Sequence, residues 1–141
     1  REEIRRSMRR KASMSFLMMD LDYFKQKNDK FGHLVGDVIL KEIARILKSN
    51  LREIDMIGRY GGEEFSVVLS GIDREGALQV SERLRSSIEH SIFNAYDEKV
   101  SITISIGVAS FPQDGVDENS LIESADRALY KAKEQGRNRV E

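Results

Sequence analysis

A pair of adjacent glycines, Gly61 and Gly62, limits the folds open to this chain more than any other feature. The segments on either side, residues 55–60 and 64–70, have the short apolar pattern of β-strands. Two such segments joined by a double glycine indicate a β-hairpin, because glycine adopts the positive φ angles of tight turns without steric cost. The sequence therefore predicts a pair of adjacent antiparallel strands.

The remaining apolar residues predict two further strands and three helices. An unbroken apolar run at residues 15–19 indicates a strand covered on both faces, whereas the alternation from Ile102 to Val108 indicates a half-buried strand. Helical spacing recurs at 35–47, 77–88 and 121–132, and the last helix is expected to end at Gly136. This order is the split β-α-β arrangement of an α+β, ferredoxin-like fold, a mostly antiparallel sheet flanked by helices.

The composition indicates one domain and excludes several kinds of site. A chain of 141 residues has room for one domain, expected to occupy residues 1–141. With no cysteine, the chain cannot form a disulfide, a thiolate nucleophile or a cysteine zinc site. No apolar run approaches the roughly 18 residues of a membrane span, so we expect a cytoplasmic domain, free-standing or attached to a membrane-anchored protein. The net charge of −1 does not favour nucleic acid or an anionic membrane as partner.

The first eleven residues form a basic segment. Its cations are Arg1, Arg5, Arg6, Arg9, Arg10 and Lys11. Two interpretations stay open, the solvated end of a helix and a basic arm that binds phosphate.

Four acidic residues are expected to meet at one end of the sheet. Asp20 and Asp22 end the first strand, and Glu63 and Glu64 follow the double glycine. Right-handed crossovers place the second hairpin strand beside the first strand of the chain. Like charges about 4 Å apart repel by about 4 kcal/mol at an effective dielectric constant near 20. Simple solvation could relieve this repulsion, and so could Mg²⁺ or Mn²⁺ in a site for phosphoryl or nucleotidyl transfer.

Several ordered motifs resemble the GGDEF family of diguanylate cyclases. They are Asp20-Leu21-Asp22-Tyr23-Phe24-Lys25, Asn28-Asp29, Gly32-His33, Gly36-Asp37, Gly61-Gly62-Glu63-Glu64-Phe65, Ala125-Asp126, Ala128-Leu129-Tyr130, Ala132-Lys133 and Gly136-Arg137-Asn138. The resemblance implies a palm-like fold akin to nucleotide cyclases. It also implies condensation of two GTP into cyclic di-GMP with release of two pyrophosphates.

The same resemblance assigns the acidic residues to the chemistry. It implies a Mg²⁺ site, open also to Mn²⁺, formed by Asp20, the backbone carbonyl of Leu21, Glu63 and Glu64. Either Glu63 or Glu64 would help to deprotonate the attacking 3′-hydroxyl, and the sequence does not decide between them. For Glu64, a charge that only shapes the local field stays an alternative.

Two positions match the guanine-binding pair of the family, Asn28 and Asp37. A carboxylate can accept both the N1–H and the N2–H of guanine, a donor pair that adenine lacks. Taken alone, Asp37 would be an acid favoured by the dipole of a helix start, and Asn28 a turn residue. His33, which lies between them, is interpreted as structural.

Two other motifs are expected to meet the phosphates of GTP. Tyr23, Phe24 and Lys25 open a short helical turn whose backbone N–H groups could receive the β- and γ-phosphates, while the aromatic rings pack. Lys133 and Arg137 resemble the phosphate-binding cations of the family. Taken alone, these two cations would complement the dipole at a helix end.

A second nucleotide site is implied by an R-x-x-D motif, Arg52 to Asp55, which five residues separate from Gly61. Its spacing to the hairpin resembles the inhibitory cyclic di-GMP site of the family, and Arg83 falls where a second arginine often contributes. Arginine can bond bidentately to guanine, and aspartate can accept from its donor edge. A plain surface ion pair is the alternative.

Ring closure requires two bonds of the same kind, which one domain holding one GTP cannot form. We therefore expect a homodimer of facing domains, controlled in the family by an attached regulatory domain. The family's D-x-L-T-x-L-x-N-R segment is missing apart from at most its last arginine, so we expect an N-terminally trimmed domain with reduced or absent turnover. The alternative is a catalytically silent receptor for GTP or cyclic di-GMP. A nucleic-acid-binding sheet is disfavoured, because the last strand offers Ser101, Thr103 and Ser105 instead of aromatic residues.

Overall fold

The computed structural model describes Arg5 and residues 12–141 of the chain. Apart from Arg5, the cations of the basic segment lie outside the described residues, and neither interpretation of that segment is tested. The strands are β1 (Met14–Leu21), β2 (Met56–Arg59), β3 (Glu64–Ser70), β4 (Phe93–Ala95), β5 (Glu98–Val100) and β6 (Ile104–Phe111). The helices are α1 (Phe24–Phe31), α2 (His33–Ser49), α3 (Arg74–Glu89) and α4 (Glu118–Glu134).

The main sheet has the strand order β2-β3-β1-β6, and every neighbouring pair is antiparallel. Strands β2 and β3 form the predicted hairpin around the double glycine. The predicted contact between its second strand and the first strand is confirmed, because Asp20 pairs with Glu64. The end of β1 therefore lies beside the start of β3, and the predicted α+β fold is confirmed.

Helices cover both faces of this sheet. Successive side chains along β1 point to opposite faces and therefore belong to two different apolar clusters. Leu17 and Met19 belong to the cluster that includes the apolar stripes of α2 and α3. Phe16 and Met18 belong to the cluster that includes α4. The unbroken apolar run predicted to be covered on both sides is indeed buried along its whole length.

The expectation of a half-buried last strand was wrong, because β6 is buried on both faces over residues 104–110. The small residues that suggested a solvent face instead allow α4 to lie directly on the strand. A Cβ on Gly107 would lie 2.2 Å from the carbonyl oxygen of Ala125 and 2.3 Å from the amide nitrogen of Leu129. Any side chain at Gly107 would push the helix off the sheet.

The two ends of α4 are defined by local chemistry. Asp117 accepts the amide of Ser120 at 2.8 Å and completes a capping box at the start. At the other end the helix gives way to Gly136, as predicted, with φ of 124°. Arg137 and Asn138 follow with φ of 63° and 48°, so the chain turns sharply back towards the sheet.

Two elements differ from the sequence-based expectation. Helix α1 spans eight residues, where only a helical turn was predicted. The small β4-β5 hairpin was not predicted at all, because its turn is made by Tyr96 and Asp97 with φ of 49° and 69°, without glycine. Within the described part of the chain, no helix combines the length and apolar character needed to span a membrane.

Candidate active site

Asp20 stands at the end of β1 in a largely buried position, with 12 % of its side chain exposed. Its Oδ2 accepts a hydrogen bond from Nζ of Lys133, which reaches over from the last turn of α4. Among the described residues, Oδ1 has no hydrogen-bond partner although it is buried. A buried carboxylate oxygen without a donor is costly, so half of this carboxylate lacks the stabilisation it needs.

Glu63 brings a second carboxylate to the same place. The amide of Leu21 donates to the carbonyl oxygen of Glu63 at 3.3 Å, which ties the hairpin tip to the end of β1. Burial raises the pKa of Glu63 above its usual range, and the charges of Asp20 and Glu64 raise this pKa further. Asp20 and Glu63, which belong to motifs far apart in the sequence, are therefore close enough for the charge of Asp20 to act on Glu63.

Glu64 is placed differently from Glu63. It pairs with Asp20 across the strands, and its Oε1 lies 3.7 Å from the position of a Cβ on Gly61. No group of three or more acidic or histidine side chains in the described residues is arranged to hold a metal ion. Asp20 and Glu63 line the same cleft, and the further ligand implied by the resemblance is the backbone carbonyl of Leu21.

A cleft of about 190 Å³ opens where these groups meet. Its lining comes from three distant parts of the chain. These are the segment from Asp20 to Lys25, Glu63 of the hairpin, and Lys133 with Arg137 at the end of α4. Its charges are two carboxylates facing three cations. This mixture suits a polyphosphate that carries a divalent cation, because each component finds an opposite charge.

Helix α1 begins at this cleft. Its N-cap residue, Tyr23, has φ of 56° and makes no side-chain capping hydrogen bond within the described part of the chain. The first-turn N–H groups are therefore not satisfied by a cap, and such groups bind anions. Phe24 packs into the core as expected, whereas the Tyr23 ring is exposed and lies 4.5 Å from the guanidinium carbon of Arg137.

Asp22 does not share the environment of the other three acids. It is 2 % exposed, and its carboxylate accepts hydrogen bonds from Thr103, Ser105 and the backbone amide of Asn138. Asp22 is therefore distinct from the other three predicted carboxylates, because both of its oxygens already accept hydrogen bonds within the protein. Asn138 belonged to a recognised motif but had no predicted role, and its contacts with Asp22 were not foreseen.

The predicted guanine pair lies where α1 meets α2. Asn28 is half-buried in α1, and its Oδ1 lies 2.2 Å from the position of a Cβ on Gly36, so only glycine leaves room for it. The Asn28 amide donates to Nδ1 of His33 at 3.0 Å. Asp37 follows Gly36 directly and is exposed. His33, interpreted as structural, therefore orients a predicted substrate-binding side chain.

The R-x-x-D motif forms a tight ion pair on another part of the surface. The backbone amide and the guanidinium of Arg52 donate to Asp55 at 2.8 Å and 2.7 Å, and the Asp55 side chain is 3 % exposed. Arg83 donates to the carbonyl oxygen of Asn50 at 2.8 Å, so it contacts the same loop. A groove of about 480 Å³ runs along Arg52, Asp55 and their neighbours.

Comparison with known proteins gives one consistent family. The model of the family described as "Diguanylate cyclase, GGDEF domain" matches residues 1–139. Diguanylate cyclase A of Treponema denticola is 45 % identical over 137 residues, which cover 97 % of this chain and 37 % of that protein. The chain therefore spans little more than a third of the length of that curated relative.

Solved structures agree with this family. The GGDEF domain of YfiN, also called TpbB, from Pseudomonas aeruginosa has a TM-score of 0.93 and 32 % identity, covering 99 % of this chain and 81 % of that one. The GGDEF domain of DgcB from Caulobacter crescentus, solved in complex with c-di-GMP, has a TM-score of 0.88 and 28 % identity, covering 99 % and 82 %. The resemblance found in the motifs is confirmed, and the chain belongs to the family of diguanylate cyclase GGDEF domains.

Proposed function

We propose that this domain condenses two GTP into cyclic di-GMP with release of two pyrophosphates, as a divalent-metal-dependent nucleotidyltransferase. The observation that carries the proposal is the cleft in which Asp20 and Glu63 face Lys25, Lys133 and Arg137. Membership of the family and the 45 % identity to a named diguanylate cyclase support the same reaction. A related GGDEF domain solved in complex with c-di-GMP supports the proposed product.

The side chains at the cleft suit Mg²⁺ or Mn²⁺. Asp20 offers a buried oxygen without a donor among the described residues, and the pKa of Glu63 is raised by burial and by the charges of Asp20 and Glu64, which a bound cation would offset. The donors are all oxygen atoms, which Mg²⁺ and Mn²⁺ prefer. Asp20, Glu63 and the carbonyl of Leu21 would hold the ion, with Glu64 next to them. Bound there, a divalent ion supplies Lewis-acid stabilisation of the charge that develops on the phosphate.

Proton removal from the 3′-hydroxyl is assigned in this proposal to Glu63. Glu63 lines the cleft, and a carboxylate placed there can accept the proton as a general base. Glu64 contributes through its charge, which raises the pKa of Glu63. Comparing the pH dependence of turnover in Glu63→Asp and Glu64→Gln would separate the two roles.

Substrate selection is assigned to the junction of α1 and α2. Asn28 and Asp37 would read the guanine edge, while the first turn of α1, Lys133 and Arg137 would hold the phosphates. Because each GTP supplies one nucleophile and one electrophile, two such domains must face each other. We propose a homodimer whose assembly is controlled by a regulatory domain elsewhere in the protein, and a cytoplasmic location for both.

Product inhibition is assigned to the groove at Arg52, Asp55 and Arg83. In the free domain Arg52 and Asp55 bond each other, so cyclic di-GMP would replace this pair contact with guanine contacts. A silent receptor of the same family would bind these nucleotides without turnover, and no observation favours it over the cyclase.

Turnover of GTP with Mg²⁺, followed by nucleotide chromatography, tests the proposal. The wild-type domain should form cyclic di-GMP, and Glu63→Ala should lose at least a hundredfold in rate while still binding GTP. Specific activity should rise with protein concentration across a hundredfold dilution series, because the reaction needs two domains. Cyclisation by Glu63→Ala at the wild-type rate would contradict the assignment of the site. A wild-type domain that binds GTP but forms no product when dimerised would favour the silent receptor.

A further inference from the structure

One buried acid, Asp22, has no part in the proposed chemistry. Its Oδ2 accepts the hydroxyl of Thr103 at 2.7 Å and the backbone amide of Asn138 at 2.9 Å. Its Oδ1 accepts the hydroxyl of Ser105 at 2.7 Å. Two of these donors belong to the segment that forms and precedes β6, and the third belongs to the loop after α4. The carboxylate therefore connects the end of β1 to that loop.

The loop that Asp22 holds has a strained backbone. Arg137 and Asn138 both adopt left-handed φ angles, of 63° and 48°. Asparagine tolerates this conformation, whereas an arginine keeps it only when its surroundings enforce it. The side chain of Asn138 is held from the other side, because it donates to Glu89 at 2.6 Å and accepts from Arg85 at 2.8 Å. Asp22 at β1 and these two residues of α3 together fix the loop.

The residue whose direction this loop determines is Arg137. Its Nη1 lies 3.9 Å from Oδ1 of Asp22, and its guanidinium carbon lies 4.5 Å from the centre of the Tyr23 ring. Its side chain remains 32 % exposed and lines the cleft. The guanidinium is thus held over an exposed ring beside Asp22, at the wall of the cleft.

We propose that Asp22 is a positioning residue for phosphate binding. By accepting the amide of Asn138 it holds the left-handed loop that directs the guanidinium of Arg137 into the cleft. This inference rests on the proposed function, in which Arg137 binds a phosphate of GTP. A role confined to folding would lower stability without changing the affinity for the phosphates more than the affinity for the nucleoside.

The test compares Asp22→Ala, Asp22→Asn and Arg137→Ala in binding 3′-deoxy-GTP, which lacks the nucleophile, and guanosine, which lacks phosphates, both with Mg²⁺. Asp22→Ala should weaken the binding of 3′-deoxy-GTP about tenfold, or about 1.4 kcal/mol, and the binding of guanosine less than twofold. Asp22→Asn should stay within about threefold of wild type, because an amide oxygen can still accept the Asn138 amide. In the Asp22→Ala/Arg137→Ala double variant, the two losses should not add.

Asp114→Ala is the matched control. Asp114 also accepts a backbone amide, that of Ser110 at 2.8 Å, and also faces an arginine, Arg74 at 3.2 Å. It lies at the opposite end of β6 from Ser105, so its loss should lower the melting temperature and leave both ligand affinities unchanged. Equal weakening of both ligands by Asp22→Ala would overturn the inference, and so would additive losses in the double variant.

A second variant covers the case in which Asp22→Ala does not fold. Asn138→Ala keeps the backbone amide but removes the bonds to Arg85 and Glu89, and it should weaken 3′-deoxy-GTP about threefold without affecting guanosine. An unchanged affinity would overturn the inference. If Arg137→Ala binds 3′-deoxy-GTP like wild type, the phosphate role of Arg137 fails and this inference with it. If Arg137→Ala weakens binding and Asp22→Ala does not, the inference alone fails.

Discussion

Adding one methyl group at Gly36 should weaken substrate binding while changing the stability of the fold little. A Cβ there would lie 2.2 Å from Oδ1 and 3.2 Å from Cγ of Asn28, and 3.4 Å from Cζ of Phe24. The contact with Phe24 is close to an ordinary van der Waals distance, whereas Asn28 cannot stay where it is. Because these Asn28 atoms form the tip of a flexible side chain, Gly36→Ala is expected to rotate the amide away and leave the helices in place.

The expected stability change is small because two terms oppose each other. Alanine in place of glycine inside α2 stabilises the helix by about 1 kcal/mol. The rotated amide loses its hydrogen bond to His33, which costs about 0.5–1.5 kcal/mol. The net change is within about 1 kcal/mol, a melting-temperature shift of about 5 °C or less.

The expected effect on GTP is larger. If Asn28 reads guanine, its displacement removes one hydrogen bond to the base. A loss of about 1.4 kcal/mol corresponds to a tenfold weaker dissociation constant. The assay is calorimetric titration with 3′-deoxy-GTP beside thermal unfolding of the same samples. With inorganic tripolyphosphate as ligand, Gly36→Ala and wild type should agree, because the phosphate end of the cleft is untouched.

Gly107→Ala provides the contrast. Its methyl group would meet backbone atoms of α4 at 2.2 Å and 2.3 Å, and these cannot rotate away. Overpacking of this kind costs about 3 kcal/mol. The reasoning is refuted if folded Gly36→Ala binds 3′-deoxy-GTP like wild type, or if it is as unstable as Gly107→Ala.

Three further predictions concern charges. Folding raises the pKa of Glu63. At pH values between the ordinary pKa and the raised pKa, the folded state therefore binds more protons than the unfolded state. Stability consequently falls as the pH rises through that window. Urea denaturation should therefore find Glu63→Gln more stable than wild type at pH 7, with the difference vanishing near pH 4; a less stable variant at pH 7 would contradict this. Lys133→Met removes the lysine that donates to Asp20, so Mn²⁺ without nucleotide should raise the melting temperature of the variant more than that of wild type. The same variant should bind 3′-deoxy-GTP more weakly. An unchanged response to Mn²⁺ would count against a cation site at Asp20. Arg52→Ala should weaken the binding of cyclic di-GMP at least tenfold and abolish product inhibition in progress curves. If the variant is inhibited by the same product concentrations as wild type, the inhibitory site lies elsewhere.

The sequence predicted those parts of the molecule that depend on local patterns. The double glycine and the apolar run before Asp20 were enough to place the acidic ends of β1 and β3 side by side, because hairpin and crossover geometry leave few alternatives. The turn at Tyr96 and Asp97 was missed because positive φ angles there occur without glycine. The serine and glycine positions of β6 were misjudged because small residues suit both a solvent face and a close helix contact.

The role of Asp22 was beyond sequence reasoning for a different reason. Its donors Thr103, Ser105 and Asn138 lie 81, 83 and 116 residues away along the chain. Asp20 and Asp22 are two residues apart and chemically identical, so the pattern of apolar and charged residues does not distinguish them, and the family resemblance gave no role to Asp22. Only the folded chain brings three donors to Asp22 and leaves Oδ1 of Asp20 without a donor from the residues that the structure describes.

The direct seating of α4 on Gly107 has a mechanical consequence for the cleft. With no side chain between strand and helix backbone, the two cannot slide or roll past each other without colliding. Leu129 sits at this contact, and Lys133 follows four residues later, about 6 Å further along the helix axis. The height of the lysine above the sheet is therefore set before any ligand arrives. Adjustment to an incoming nucleotide is therefore left to side-chain torsions, such as those of Lys133.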